Sequence, residues 1–267
     1  MSYFSMSIIF LIPFFPFLKH LIARLIKPIK FWHNFYFISN MQILEAAILS
    51  DDLKATEKFY TEILGLRVIQ KAPEFLLISC GRSVLRFIKS KGMTPKYHFA
   101  FAIPYDSFKD AVTWASIKLA LITAENGNVI ADFKNWNAKS FYFFDNNGNI
   151  VEFIARINKN ENLHASFDSS QISSLSEVGI VTDSITVFAN QLKTMYKIPV
   201  YDKQPLLQNF GALGDDNGLL ILSLPGRPWY PTNLPAKKFY TKLKLMQHNE
   251  IIELTLNEPA TIPDVNL

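Results

Sequence analysis

The sequence contains little cysteine and glycine, and both shortages exclude classes of function. Cys80 is the single cysteine in 267 residues, so the chain has neither an internal disulfide nor a cysteine-rich zinc site. A lone cysteine is typical of proteins from a reducing compartment, and we expect a cytoplasmic location. The ten glycines form no phosphate-binding loop, and neither a Ser–His–Asp context nor a thiolate motif around Cys80 is present.

Net charge is also scarce once the N-terminal segment is set aside. The formal charge of +4 comes from residues 1–40, which hold four basic residues and no acidic one. The remaining 23 basic residues balance the 23 acidic ones. A chain without excess positive charge lacks the basic surface through which proteins bind nucleic acids. No nucleic-acid partner is therefore expected.

Residues 1–40 lack an apolar run long enough to span a bilayer. The run from Ser5 to Leu18 is interrupted by Pro13 and Pro16, and a spanning helix needs about 20 apolar residues. Two interpretations of this apolar and basic extension stay open. It is either a signal anchor or interfacial helix, which would bring the protein to a membrane, or a segment upstream of the true start at Met41.

From residue 41 onward, the chain shows a repeated order of strands and helices. A strand at Ile43–Leu49 is followed by a helix at Asp51–Leu64 and by three strand-like runs that end at Lys89. The apolar spacing and the turn residues between the runs support this βαβββ order. The same order then repeats, which predicts two modules, residues 41–90 and residues 95–157.

The last part of the chain repeats the first module incompletely. Residues 158–176 are polar and predict a linker. Beyond it, Glu177 lies 132 positions after Glu45, and the surrounding residues match without gaps, which is the pattern of an internal repeat. Only two strand-like runs follow Pro235, so residues 177–267 predict a partial third module and a C-terminal tail.

Three segments resemble the vicinal oxygen chelate superfamily, which includes glyoxalases, bleomycin-resistance proteins and extradiol dioxygenases. The opening of the first module carries Leu49-Ser50-Asp51-Asp52-Leu53, followed by Lys58-Phe59-Tyr60 and Leu64-Gly65-Leu66. The middle strand carries Tyr97-His98-Phe99-Ala100-Phe101, and the closing strand carries Asp145-Asn146-Asn147-Gly148-Asn149-Ile150-Val151-Glu152-Phe153. The resemblance implies an α+β fold. In it, the paired βαβββ modules of residues 41–157 form one glyoxalase-like, half-open barrel domain, with the partial third module packed on it.

The resemblance also implies a metal site on the first and last strands of the modules. The matching positions are Glu45, Arg86, His98 and Glu152. Strand alternation supports this match, because His98 shares a face with small alanines while its bulky neighbours face the other way. We expect Glu45, His98 and Glu152 to bind a divalent ion (Fe, Mn, Zn or Ni), with Glu45 and Glu152 also catalytic. Arg86 cannot coordinate a metal and is expected to bind substrate.

We predict that the mouth of the pocket contains three substrate-binding residues, all of which precede the closing strand: Asp132, Trp136 and Tyr142. The Pro-rich loop that carries Arg227, Trp229 and Tyr230 is a candidate cover for the pocket or for a partner. The third module is expected to dock without a site of its own, since no histidine repeats the one in the second module.

Two functions follow from these residues. The first is a divalent-metal-dependent enzyme, a glyoxalase-like lyase or a dioxygenase, that acts on a small oxygenated molecule. The alternative is a metal-free, small-molecule-binding protein in which Arg86 pairs with Glu45 or Glu152. The resemblance also leaves a homodimer open.

Overall fold

The protein is described here by a computed structural model, which covers residues 41–124, 127–157 and 166–258. These residues form strands β1 Gln42–Ser50, β2 Arg67–Ala72, β3 Phe75–Cys80, β4 Ser83–Lys89, β5 His98–Ala102, β6 Leu121–Ile122, β7 Ile130–Phe133, β8 Ala138–Phe144, β9 Ile150–Arg156, β10 Ser174–Val181, β11 Phe210–Asp215, β12 Gly218–Ser223, β13 Thr241–Gln247 and β14 Glu250–Leu256. The α-helices are α1 Leu53–Lys58, which continues as a π-helical turn at Phe59–Ile63, α2 Phe108–Lys118 and α3 Ile185–Tyr196.

Helices α1 and α3 begin and end at equivalent positions of the sequence repeat. The side chain of Asp52 caps α1, and Ser184, 132 positions later, caps α3 by accepting from the backbone N–H of Val187. The chain leaves both helices through a left-handed residue, Gly65 at φ 74° and Lys197 at φ 56°, again 132 positions apart. Such caps satisfy the free backbone groups of helix ends, so the local sequence of the repeat fixes both helices.

The strands form two sheets that do not close on themselves. The first sheet has the order β14-β13-β1-β4-β3-β2, and the second has the order β11-β12-β10-β5-β9-β8-β6, with β7 paired to β8. The first sheet thus combines β1–β4 of the first module with β13 and β14, and the second combines β5–β9 of the second module with β10–β12. The predicted α+β fold of half-open, repeated modules is confirmed.

The strand pairing between modules differs from the predicted pairing. We predicted that the first two modules pair within residues 41–157, but β1 of the first module pairs with β13, and β5 of the second module pairs with β10 of the third. Strand β10 is buried along its whole length, which suits a central position with a neighbour on each side. The correction follows from long-range packing, which strand patterns do not encode.

Side-chain alternation along β5 and β9 separates the core from the functional face. Phe99, Phe101 and Phe153 lie in the main hydrophobic core, which also contains residues of the first sheet and of all three helices. His98 and Glu152 lie on the opposite face. The centre of the second sheet therefore presents polar groups to one side and aromatic rings to the other.

The predictions on the ends of the chain are only partly covered by the structure. Residues 1–40 and 259–267, and residues 158–165 of the predicted linker, lie outside the described residues. The described end of that linker includes a short turn at Ser169–Gln171, and β10 begins already at Ser174. Within the described part of the chain, none of the helices has the length and hydropathy required to cross a membrane.

Candidate metal centre

Three adjacent strands in the middle of the second sheet bring one histidine and two carboxylates together. His98 lies on β5, Glu152 on β9 and Glu177 on β10, and one potential ligand atom of each lies within 4.8 Å of the other two. The strand register explains this convergence, because Ala100 of β5 lies opposite Glu152 on one side and opposite Glu177 on the other. All three side chains are buried.

His98 is held as a neutral imidazole. Its Nδ1 lies 3.3 Å from the carbonyl oxygen of Ile150, and its Nε2 lies 3.5 Å from Oε2 of Glu152. Burial lowers the pKa of His98 to about 4. In the tautomer with the proton on Nδ1, the N–H group donates a hydrogen bond to this carbonyl oxygen. The lone pair of Nε2 is then directed towards the carboxylates, and this is the form of histidine that binds a metal.

Within the residues that the structure describes, Glu152 forms no salt bridge with a lysine or an arginine, and its contact is with His98. Burial raises the pKa of Glu152 to about 8, and the neighbouring Glu177 adds to the rise. The hydroxyl groups of Ser140 and Tyr142 oppose this rise by stabilising the ionised form. Burial and the same two carboxylates raise the pKa of Tyr142 well above its usual value, so this phenol remains a proton donor.

Glu177 is neutralised by a buried arginine. Arg156, at the end of β9, donates from Nη2 to Oε1 of Glu177 at 2.5 Å and from Nη1 to Oγ of Ser176 at 2.6 Å. Burial raises the pKa of Glu177, and Arg156 limits the rise. The Nε of Arg156 also lies 3.6 Å from Asp216, which accepts hydrogen bonds from Tyr201 and Lys203. This network holds Glu177 in one orientation.

The cluster lies at the bottom of a cavity of about 290 Å³. Its walls are mainly aromatic, and they come from the second sheet, from the turn after β7 and from the loop between β12 and β13; the aromatic lining residues are Phe133, Trp136, Tyr142, Phe210, Trp229 and Tyr230. The ring of Trp229 lies 5.4 Å from that of His98, and the ring of Tyr230 lies 5.7 Å from that of Tyr142. Apolar walls around a few convergent polar groups are typical of ligand pockets.

Glu45 and Arg86 lie elsewhere, which corrects the predicted ligand set. Both are in the first sheet, where Nε of Arg86 donates to Oε1 of Glu45 at 2.6 Å, and neither lines the cavity. The structure thus brings together His98 and Glu152 of the predicted set but not Glu45. The physical reason is the strand pairing, since β5 lies beside β10 instead of beside β1.

The predicted substrate-binding residues do not all line the cavity. Trp136 and Tyr142 line the cavity. Asp132 is exposed on β7 and lies opposite Lys139, while its neighbours Ala131 and Phe133 face the cavity side. This correction follows from the alternation of side chains along the strand.

Sequence reasoning missed Glu177 as a site residue and did not consider Arg156. The expectation that the third module docks without contributing to a site is wrong in this respect, because Glu177 belongs to the cluster. The repeat itself carried the signal, since Glu177 occupies the position of Glu45. A second signal was an arginine four residues after Glu152, on the same face of an apolar strand, which requires a buried carboxylate nearby.

The donor chemistry of the cluster fits a divalent metal ion. One neutral imidazole and two carboxylates are ordinary ligands for such ions. Leu219 of β12, which lies opposite Glu177, is apolar, and the described residues supply three donors to this cluster. A cation here would neutralise the buried charge of Glu152.

Comparisons with known proteins agree with this fold. Residues 42–153 match the model of the Glyoxalase/Bleomycin resistance protein/Dioxygenase superfamily. A Bacillus subtilis protein proposed to be a dioxygenase is similar in structure, with 11% identity over 83% of this chain and 86% of its own and a TM-score of 0.54. A single-residue mutant of glyoxalase I from Zea mays has 15% identity over 81% and 92%, with a TM-score of 0.50.

One further structure matches only part of the chain. Lactoylglutathione lyase from Agrobacterium tumefaciens is 25% identical over 42% of this chain and 92% of its own, with a TM-score of 0.35. No curated protein matches the sequence. The match over residues 42–153 confirms the resemblance found in the sequence, because it includes the three segments that carry this resemblance.

Proposed function

We propose that the protein is a divalent-metal-dependent enzyme that acts on a small oxygenated molecule, with His98, Glu152 and Glu177 as the metal ligands. The observation that carries the proposal is the buried cluster itself. Its potential ligand atoms lie within 4.8 Å of one another, and it borders a cavity large enough for a small molecule. Burial of a carboxylate without a partner is unfavourable, and a bound cation would remove this cost for Glu152.

The side chains around the cluster would divide the remaining work. Arg156 would orient Glu177, and the loop that carries Trp229 and Tyr230 would exclude water. When bound, a divalent ion supplies Lewis-acid polarisation of a substrate oxygen. Glu152 would take or return a proton, because it lines the cavity beside His98. The phenol of Tyr142, which hydrogen-bonds to Glu152, would hold this carboxylate in place.

The donor set favours a lyase or isomerase of the glyoxalase type over an oxygenase. Iron oxygenases commonly use two histidines and one carboxylate, whereas this cluster has one histidine and two carboxylates. The identity of the ion among Fe, Mn, Zn and Ni remains a prediction, as does the substrate.

A metal-free binding protein is the second candidate, and one observation favours it. Arg156 already pairs with Glu177 at 2.5 Å, so a protein cation partly fills the role that a metal would have. In that case, the cavity would hold its ligand through aromatic contacts and hydrogen bonds without turnover.

Metal content distinguishes the two candidates. The full chain, purified without chelator and analysed by plasma mass spectrometry, should contain about one equivalent of a divalent metal. The variants His98→Ala and Glu177→Gln should lose it. His98→Ala should keep the far-UV circular dichroism spectrum, because a cavity wall tolerates truncation better than a packed core. Glu177→Gln should keep the spectrum at a lower free energy of unfolding, because it leaves the buried Arg156 without its carboxylate partner.

The matched control for Glu177→Gln is Glu45→Gln. The two glutamates occupy equivalent positions of the repeat, but Glu45 lies in the first sheet, so this variant should retain the metal. A metal-free wild-type protein that still binds small aromatic or dicarbonyl compounds would favour the second candidate. Loss of metal in Glu45→Gln would contradict the assignment of the cluster.

A further inference from the structure

Arg227 places a positive charge at the wall of the cavity. It lies in the loop after β12, where the base of the loop is fixed by a hydrogen bond from the Ala236 N–H to the Arg227 carbonyl oxygen. Its guanidinium carbon lies 4.6 Å from the centre of the Phe210 ring. Both Arg227 and Phe210 line the same cavity as the candidate ligands. A guanidinium that stacks through its face leaves the N–H groups at its edge free to donate.

This guanidinium has no protein anion to neutralise it within residues 41–124, 127–157 and 166–258. Arg86 and Arg156 each pair with a glutamate, whereas the side-chain hydrogen bond of Arg227 goes to the carbonyl oxygen of Pro228 at 3.3 Å. Burial lowers the pKa of Arg227, yet an arginine remains charged in proteins. A half-buried cation with free donors is the group that binds a planar anion in two hydrogen bonds.

The rest of the cavity favours a flat ring. The rings of Trp136, Tyr142 and Tyr230 form its walls, and aromatic rings pack well against one another with their centres about 4.5–7 Å apart. The carboxylates of Glu152 and Glu177, which also line the cavity, repel an anion. An anionic substituent would therefore point away from them and towards Arg227.

We infer that the cavity binds a small aromatic carboxylate, with the ring between the aromatic walls and the carboxylate on Arg227, so that the oxygen substituents of the ring point towards His98, Glu152 and Glu177. The inference rests on the proposed function only in that it takes this cavity as the substrate site. It names the substrate class and assigns Arg227 as the residue that determines specificity for an anion.

The test compares two probes that differ only in charge, protocatechuate and its neutral primary amide. Both have a benzene ring with adjacent hydroxyl groups, and only the acid has a carboxylate. Their dissociation constants for the full-length protein are measured by isothermal titration calorimetry, once with chelator and once with added Mn²⁺. The wild type should bind the acid about tenfold more tightly than the amide in both conditions, because a charge-assisted pair has roughly that effect.

The variant Arg227→Gln should lose this preference while its affinity for the amide stays within about twofold, which also shows that the cavity is intact. Arg227→Lys should keep part of the preference, since it retains the charge but not the planar fork. Arg82→Gln is the matched control, because Arg82 is exposed and does not line the cavity, and it should behave as the wild type.

Three outcomes would overturn the inference: equal affinities of the wild type for acid and amide, an unchanged preference in Arg227→Gln, or no binding of either probe at millimolar concentration. These outcomes are separate from those of the metal analysis. A preference for the acid in a protein that contains no metal as purified would support Arg227 while contradicting the metal-dependent enzyme. A metal-containing protein without the preference would support the metal-dependent enzyme while contradicting the role of Arg227.

Discussion

The two sheets contain modules of the same architecture but differ in the charged residues on corresponding strands. In the first sheet Arg86 of β4 lies opposite Ala47 of β1, and in the second Glu152 of β9 lies opposite Ala100 of β5. Arg86 is therefore the structural equivalent of Glu152. In the first sheet the arginine at this position neutralises Glu45 directly, whereas in the second a carboxylate at the same position adds to the negative charge.

Exposure separates the two sites further. The side chains of Arg86 and Glu45 are 18% and 27% exposed, whereas those of Arg156 and Glu177 are 3% exposed. The loop that carries Trp229 covers the second sheet, since Trp229 packs on Gly179 of β10. Buried charges interact far more strongly than half-exposed ones. The comparison teaches that a covering loop and two differences in the sheet, His98 at the position of Glu45 and Glu152 at that of Arg86, separate a half-exposed ion pair from a buried cluster that favours a cation.

The largest expected difference concerns the two arginines. Arg156→Met leaves Glu177 buried without a cation and should lower the free energy of unfolding by about 3–5 kcal/mol. Arg86→Met removes a half-exposed pair and should lower it by no more than about 1 kcal/mol. Urea unfolding of the full chain in the presence of chelator measures both values, because a bound metal would mask the first effect. Similar losses for the two variants would mean that burial does not distinguish the sites.

A smaller difference is expected for the residues under the covering loop. A Cβ on Gly179 would lie 2.8 Å from Cη2 of Trp229 and 3.0 Å from the carbonyl oxygen of His98, so Gly179→Ala should cost about 1–3 kcal/mol. The equivalent residue of the first module is Ala47, and Ala47→Gly should cost only about 0.5–1 kcal/mol.

Tryptophan fluorescence adds a direct readout to this second comparison. Gly179→Ala should shift the emission to longer wavelength as Trp229 moves towards water, and Ala47→Gly should not. An unshifted spectrum together with wild-type stability in Gly179→Ala would show that the loop does not rest on β10.

The smallest effect is expected on the open face of the first sheet. Lys242 pairs with Glu253 at 3.3 Å, and their side chains are 46% and 55% exposed. Lys242→Gln should change the free energy of unfolding by less than about 0.5 kcal/mol and leave metal content unchanged. A change in ligand affinity in this variant would contradict the comparison, because it would indicate that the first sheet takes part in ligand binding.

The sequence contains enough local information to predict the modules and the faces of their strands. Asp52 predicted the start of the first helix, and the small neighbours of His98 predicted that it faces a cavity. Glu152 was placed on the same side by the same alternation. These features depend on residues close together in the chain, so they can be recognised in the sequence without knowledge of the fold.

The choice of partner strand could not be predicted in this way. Glu45 and Glu177 have similar strand surroundings, and either could complete a site with His98 if its strand lay beside β5. Which strand does so depends on the packing of the whole chain, including the burial of β10 on both faces and the pairing of β1 with β13. Arg156 could have decided between them, because it needs a buried carboxylate within reach.

The pairing of β1 with β13 has a consequence for the order in which the protein can fold. Gln42 lies opposite Met246, so β1 can pair along this edge only after the chain has been synthesised as far as β13. Until then, the edge of β1 is an unpaired template for other strands, and contacts of such long sequence separation form slowly. Refolding from urea should therefore be slow and aggregation should increase with protein concentration, although each module on its own has a short and regular order of elements.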